Sequence, residues 1–135
     1  MMDFLAPHAS KVLSLLRIVA GLMFVQHGTQ KIFSFPQAAS GPFELMSQMG
    51  VGGVLELVGG VLIVLGLFTR PVAFVLSGMM AVAYFQFHAA SSLYPLVNGG
   101  ELAVLYCFVF LYLSFAGPGA WALDSLTPNR RRRRF

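Results

Sequence analysis

Four long apolar stretches alternate with short segments rich in glycine, proline, serine and asparagine along the chain. A helix rises about 1.5 Å per residue, so about 20 apolar residues cross the roughly 30 Å hydrocarbon core of a bilayer. The pattern therefore predicts an all-α, polytopic membrane protein built as a four-transmembrane-helix bundle. The helices are expected at about 12–33, 51–68, 71–88 and 101–115.

Turn-forming residues predict where these helices begin and end. Thr69 is expected to cap the third helix, and Pro71 suits its first turn. Asn98 precedes Glu101 by the spacing of a capping box, so Glu101 is consistent with a helix cap as well as with a functional group. We expect one membrane domain, residues 1–126, followed by a basic tail, residues 127–135.

The composition excludes several classes of protein. With 57% hydrophobic and only 10% charged residues, a chain of 135 residues carries more apolar surface than a soluble domain of this size can bury. Cys107 is the only cysteine, which excludes a disulfide framework and dithiol redox chemistry. The run Arg130 to Arg134 lacks interleaved aromatic residues, so it predicts contact with anionic lipid and not with nucleic acid.

The positions of lysine and arginine predict the orientation in the membrane. With the N-terminus inside, the cytoplasmic side carries Lys11, Arg17, Arg70 and the five C-terminal arginines, whereas the outer side carries only Lys31. Cytoplasmic loops of membrane proteins are enriched in these residues. Both termini are therefore expected in the cytoplasm, and the loops 34–50 and 89–100 outside.

Ionisable side chains within the apolar stretches mark the candidate functional site. A charged residue at the centre of a membrane helix costs at least about 2.5 to 3.5 kcal/mol, so such residues face protein, water or one another. Most of them fall in the outer half of the bundle in this orientation, where we predict a polar cavity. The candidate catalytic residues are His27 and Glu56. The candidate ligand-binding residues are Arg17, Lys31, Gln86, His88, Asn98 and Glu101.

A structural role for the same charges is the alternative. Gly52, Glu56 and Gly60 are spaced at i, i+4 and i+8, and small residues at this spacing let membrane helices approach closely. Such an approach would press Glu56 against a cation of the first helix, and an ion pair with Arg17 would fix the helix register. Lys31 is also consistent with a side chain that extends to the outer interface.

Cofactor sites are judged by the spacing of their ligands. His27 and His88 lie at different depths and no c-type attachment motif is present, so this pair does not favour haem. The histidines and buried acids are suitable metal ligands, but no local spacing such as H-x-x-x-H accompanies them, and no metal site is predicted. No flavin motif is present either, because Leu55 occupies the third glycine position of the dinucleotide fingerprint.

A series of short motifs covers residues 11–126: Arg17 to Gly21, His27 to Lys31, Glu56 to Gly60, Leu65 to Arg70, His88, Asn98 to Glu101 and Gly117 to Gly119. In this order and spacing they resemble the DoxX family of small bacterial four-helix membrane proteins. The resemblance implies the fold and a place in the bacterial inner membrane. It implies the reaction more loosely: many members are called oxidoreductases, and some are associated with oxidative-stress complexes.

Two hypotheses about function follow. In the first, the protein is a component of a quinone-linked membrane oxidoreductase that binds a quinone or a small phenolic ligand in the outer cavity. Lys31 or His27 would then hydrogen-bond the ligand, Glu56 and His27 would relay protons, and a bound quinone or a redox or stress-response partner protein would carry electrons. In the second, the protein is a non-catalytic scaffold or chaperone whose buried charges lock the bundle. Homo-oligomerisation is left open.

Overall fold

The computed structural model describes residues 3–126, which are helical or irregular, without strands in that range. The helices are α1 (Ala9–Phe33), α2 (Gln48–Leu65), α3 (Thr69–Ala83), the short α4 (Pro95–Asn98) and α5 (Glu101–Ala116). Less regular helical turns are Asp3–His8 before α1, the π-helical turn Tyr84–His88 that extends α3, and Leu123–Ser125. The predicted basic tail, including Arg130 to Arg134, lies outside the described residues.

Three helical segments are long and apolar enough to cross a membrane, namely Phe4–Phe33, Gln48–Leu65 and Thr69–His88. Glu101–Ala116 is apolar but shorter, with 16 residues. The predicted all-helical architecture is therefore confirmed, and the three long segments fit insertion into a membrane. The fourth span and the cytoplasmic position of both termini stay predictions.

The long helices alternate in direction, so the bundle has two distinct ends. The hairpin end contains the turn 66–68 between α2 and α3 and the segment 117–126 after α5. The loop end contains the connections 34–47 and 89–100. α1 packs mainly against α2, and α3 mainly against α5. The side chains that fill the centre are apolar and at most 1% exposed: Phe24, Ile63, Leu76, Phe110 and Leu113.

Glycines set the distance between α1 and α2. A side chain added at Gly28 or Gly60 would collide with the facing helix, so the two backbones approach as closely as small residues allow. The sequence pattern placed Gly52 in this contact, and that is wrong, because nothing lies within 4 Å of the position where Gly52 would carry a side chain. Gly53 occupies the contact face instead, next to the side chain of Lys31.

The buried guanidinium of Arg17 ties α1 to the hairpin end. Nη1 donates to the carbonyl oxygens of Ile63 and Val64 (2.6 Å to Val64) in the last turn of α2, Nε donates to Pro118 at 2.8 Å, and Nη2 donates to Trp121. Carbonyl groups at a helix C-terminus have no partner within their own helix, and a cation there also interacts favourably with the helix dipole. Arg17, which is 0% exposed, therefore caps α2 from another helix.

Two further charged side chains cap helices at the hairpin end. The carboxylate of Asp124 accepts hydrogen bonds from the backbone N–H groups of Phe68 (2.8 Å) and Thr69 (2.9 Å) at the start of α3. Arg70 donates to two carbonyl oxygens in the last turn of α5, at 3.1 and 2.5 Å. A carboxylate at a helix N-terminus and cations at C-termini are the favourable arrangement with respect to the helix dipoles.

The prediction that Thr69 caps α3 is wrong. The capping position belongs to Phe68, which has a left-handed backbone (φ 50°) and makes no side-chain capping bond. Thr69 is the first helical residue, and its buried hydroxyl has no hydrogen-bond partner among residues 3–126. Asp124 supplies the cap from 55 positions further along the chain, where a local sequence rule cannot find it.

We expect Arg17→Ala to destabilise the protein far more than Arg70→Ala. The first variant removes the side-chain donor from the carbonyl oxygens of Val64, Pro118 and Trp121, at a cost of about 1 to 3 kcal/mol for each oxygen that stays unpartnered. Arg70 is exposed, so water can replace it, and the expected loss of about 1 kcal/mol or less is that of an ordinary helix-terminal charge. Thermal unfolding in mild detergent measures both. Equal melting temperatures for the two variants would contradict the capping role of Arg17.

Candidate functional site

Lys31 and Glu56 form an ion pair between α1 and α2, with 2.6 Å between Nζ and Oε1. The close approach of the helices at Gly28 produces it, because Gly28 lies against Leu57, directly after Glu56. The side chain of Glu56 is 6% exposed and that of Lys31 is 27% exposed. The alternative pairing of Glu56 with Arg17 is wrong, since Arg17 is bonded to backbone carbonyls at the hairpin end.

Two buried polar atoms near this ion pair have no hydrogen-bond partner among the residues that the structure describes. They are Oε2 of Glu56 and the phenol oxygen of Tyr106 on α5. The Tyr106 ring is packed edge-on against His27, with 6.3 Å between ring centroids. Because nearly all buried polar atoms in proteins are hydrogen-bonded, two exceptions beside a buried charge mark a candidate binding site.

Two cavities open beside the ion pair and beside His27. The larger, about 510 Å³, is lined by Gln30 and Lys31 of α1, by the connection 37–44 and by the start of α2. The smaller, about 200 Å³, is lined by His27 and its neighbours on α1 together with residues 36–37. His88 and Glu101 line neither of these two cavities. The two cavities therefore differ from the predicted single cavity, which all the candidate residues were expected to bound.

His88 and Asn98 belong to a separate polar group, which fixes the connection 89–100. The Asn98 side chain donates to the Ser92 carbonyl at 2.7 Å and to the Tyr84 hydroxyl at 3.2 Å, and its Oδ1 accepts from the Gly100 N–H at 2.7 Å. Nδ1 of His88 lies 3.1 Å from the Asn98 carbonyl oxygen. No hydrogen bond or ion pair within residues 3–126 joins this group to Lys31 or Glu56.

Gln86 and Glu101 lie outside both groups. Gln86, exposed on the π-helical turn, is hydrogen-bonded to the side chain of Gln48 at the start of α2. This contact is a hydrogen bond between two helical segments. Glu101 is exposed and is the first residue of α5, with Gly100 at the capping position. The capping-box interpretation is therefore wrong, because it requires Glu101 at the third helical position.

The structure thus pairs Lys31 with Glu56, leaves His27 one helical turn before Lys31 on α1, and places Arg17 at the opposite end of the bundle. All four hydrogen bonds of Arg17 go to backbone carbonyls, and its side chain is inaccessible. This corrects the expectation that Arg17 contacts a ligand: its guanidinium has a structural role. No group of three or more His, Cys, Asp and Glu side chains within residues 3–126 could hold a metal ion.

Tyr106 is the site residue that sequence reasoning missed. A tyrosine within an apolar helix is ordinarily explained by packing, and the residues within four positions of Tyr106 are uncharged. The available signal was the spacing of Ala103, Tyr106, Phe110 and Leu113, which places all four on one face of α5. That face is buried, and the Tyr106 ring stacks on Phe110 with 5.7 Å between centroids.

We expect Lys31→Met to be more destabilising than Glu56→Gln. Removing the lysine leaves a buried carboxylate without a partner, for which about 3 to 5 kcal/mol is the precedent from soluble proteins. Removing the negative charge of Glu56 should cost less, because Lys31 can turn its ammonium group into the adjoining cavity. The double variant should recover part of the loss. Unfolding in detergent measures this cycle, and a Lys31→Met protein that melts like the wild type would show that Glu56 does not need its partner.

Comparison with known proteins places this arrangement in a family. The DoxX family model matches residues 12–89, more than half of the chain. The chain is 46% identical over 129 residues to an uncharacterized protein of Haemophilus influenzae, covering 92% of this chain and 96% of that protein. It is 31% identical to the inner membrane protein YqjF of Escherichia coli, covering 82% and 87% of the two chains.

The name of a third relative refers to an enzymatic activity. The chain is 29% identical to a Bacillus subtilis protein named "Putative oxidoreductase CatD", covering 82% of each chain. No solved structure matches the chain. The family match spans α1, α2 and α3 and therefore includes both residues of the Lys31–Glu56 ion pair. The chain belongs to the DoxX family.

Proposed function

We propose that this DoxX-family protein is a membrane component of an oxidoreductase system and binds a quinone or a small phenolic ligand beside the Lys31–Glu56 ion pair. The observation that carries the proposal is the pair of unpartnered buried oxygen atoms, Oε2 of Glu56 and the phenol oxygen of Tyr106. A binding site typically combines apolar walls with a few convergent polar groups. Here the 510 Å³ cavity beside Lys31 has apolar walls from Pro42, Phe43 and Met49.

The polar groups suit proton-coupled chemistry on an oxygen-bearing ring. Lys31 has N–H groups beyond the one that binds Glu56, and these can donate to a ligand oxygen in the 510 Å³ cavity. Glu56 and His27 are proton carriers of the kind that form relays inside membrane proteins. Electrons would pass to a bound quinone or a partner protein, because the chain offers neither a cysteine pair nor a flavin fingerprint.

The proposal includes four membrane-spanning helices, with α5 as the fourth, and an inner-membrane location with both termini in the cytoplasm. A 16-residue helix spans a locally thinned bilayer or borrows a turn at its end. Within the described residues the hairpin end carries Lys11, Arg17 and Arg70, and the loop end carries Lys31. By the positive-inside rule the hairpin end faces the cytoplasm, so the candidate site opens to the outside.

Reporter fusions test this topology. A reporter that works only in the cytoplasm should be active when it is fused after Phe135 or inserted after Arg70. A reporter that works only in the periplasm should be active when it is inserted at residues 39–41. Each position should be tested with both types, so that a poorly expressed fusion is not mistaken for a wrong location. A C-terminal fusion active outside would reverse the orientation and place the candidate site on the cytoplasmic side.

A ligand screen tests the binding proposal. A quinone or phenol that binds the folded protein stabilises it by mass action, by about 2.7 kcal/mol at a concentration 100 times Kd. We expect at least one member of a quinone and catechol series to raise the melting temperature of the wild type. The increase should be lost in His27→Ala and in Lys31→Ala proteins that still fold. It should persist in Arg70→Ala, the matched control at the opposite end of the bundle.

The second candidate is a non-catalytic scaffold or chaperone. The observation that favours it lies at the hairpin end, where the side chains of Arg17 and Asp124 bind only backbone groups. If no ligand of the series raises the melting temperature of the wild type, or if the increase persists in both site variants, the scaffold function is preferred.

A further inference from the structure

The connection 89–100 at the loop end turns apolar side chains outward. Leu93, Tyr94, Leu96 and Val97 are between 71% and 78% exposed. No charged residue occurs in this connection. Exposed apolar residues that stand singly are ordinary, but a contiguous patch of large ones marks contact with a partner or a membrane. A connection surrounded by water would carry polar side chains at these positions.

The polar side chains of the same connection are turned inward and bonded there. The Asn98 side chain is bonded through both its amide group and its Oδ1. Oγ of Ser91 donates to the His88 carbonyl at 3.0 Å, and Oγ of Ser92 accepts from the Tyr94 N–H at 3.2 Å. Such internal bonding is what lipid requires of a polar group, because lipid tails offer no hydrogen bonds.

We infer that the connection 89–100 lies in the membrane, at the boundary between the headgroups and the acyl chains, with its apolar patch against lipid. The depth follows from two constraints. Irregular backbone is not tolerated among the lipid tails, so the segment cannot lie deeper. Tyrosine is enriched at the membrane interface, where the ring is apolar and the hydroxyl meets water, and Tyr94 has this position in the patch.

The neighbouring elements make this surface continuous with the membrane-spanning part. The apolar segment Thr69–His88 leads directly into the connection, and Phe85 and Phe87 in its last turn are exposed. α5, which follows the connection, has 16 residues. At about 1.5 Å per residue it reaches about 24 Å, less than the roughly 30 Å hydrocarbon core. An apolar connection at the boundary fills the level of the membrane that α5 does not reach.

The test measures the surroundings of single cysteines. The full chain carries Cys107→Ala, which removes the natural cysteine, and either Leu96→Cys or Val97→Cys in the patch. The matched control is Ser40→Cys, an exposed position of the other connection at the loop end, where residues 37–42 include no large apolar side chain. Each cysteine is labelled with bimane, and the protein is placed in lipid nanodiscs. Nanodiscs leave both membrane faces open, so the result does not depend on orientation.

Three quenchers distinguish the possible surroundings. They are iodide in the water, a lipid with a nitroxide at the top of its acyl chain, and a lipid with a nitroxide at the chain end. At Leu96→Cys and Val97→Cys we expect the shallow nitroxide to quench most strongly. Iodide should quench these positions several-fold less than Ser40→Cys, because headgroups and lipid exclude the anion from the patch. Either patch position suffices if the other variant does not fold.

Three results would overturn the inference. Iodide quenching at the patch equal to that of Ser40→Cys, without quenching by lipid, would place the connection in water. Strongest quenching by the deep nitroxide would place it among the lipid tails. Protection from iodide and from both lipids would show that protein, a second copy or a partner, covers the patch. The inference needs only a protein in the membrane, so none of these results bears on the proposed ligand.

Discussion

The hydrogen bonds of Arg17 hold the hairpin end of this bundle together. Inside or near a bilayer, a backbone carbonyl cannot rely on water, so the last turn of a helix needs partners from the protein. Arg17 donates to the C-terminal turn of α2 and to the segment after α5, and thereby joins three parts of the chain that are distant in sequence. A guanidinium suits this role because its five N–H groups diverge in a plane and stay charged.

The two ends of the bundle use their charged side chains differently. At the hairpin end, Arg17, Arg70 and Asp124 each bind backbone groups at helix termini, so the charges complete the secondary structure. Near the loop end, Glu56 is held through one oxygen and keeps the other unpartnered. Arg17, whose Nε, Nη1 and Nη2 all donate to backbone carbonyls and which is fully buried, is inaccessible to a ligand. A charge that is bonded on one side only retains hydrogen-bonding capacity, and this contrast locates the candidate site.

The position of the Lys31–Glu56 ion pair depends on the glycine contact between α1 and α2. Gly28 and Gly60 allow the two backbones to approach so closely that side chains flanking the contact meet across it. A buried ion pair gives little net stability, because the desolvation of both charges offsets their attraction. Its more general consequence is specificity, since a shift in helix register would leave Glu56 uncompensated in an apolar environment. Glycine packing and the ion pair therefore fix the same register.

The sequence by itself determined the helical class, the helix positions to within a few residues, the membrane character and the family resemblance. It also identified His27, Lys31 and Glu56 as candidate residues. These features follow from local composition and from the high cost of polar groups in an apolar stretch. Both can be read from the sequence directly. The fourth span, the orientation and the ligand remain predictions.

Only the tertiary structure decided which charges meet. Arg17 and Lys31 are both cations on α1, and the sequence could not tell which of them neutralises Glu56, because that depends on the rotation and axial shift of α2 against α1. Likewise, Asp124 replaces Thr69 as the cap of α3 because a chain segment folds back from 55 positions away. Tyr106 became a candidate only when its face of α5 was found buried beside His27. Each of these contacts is set by helix packing between distant segments, and no local pattern encodes it.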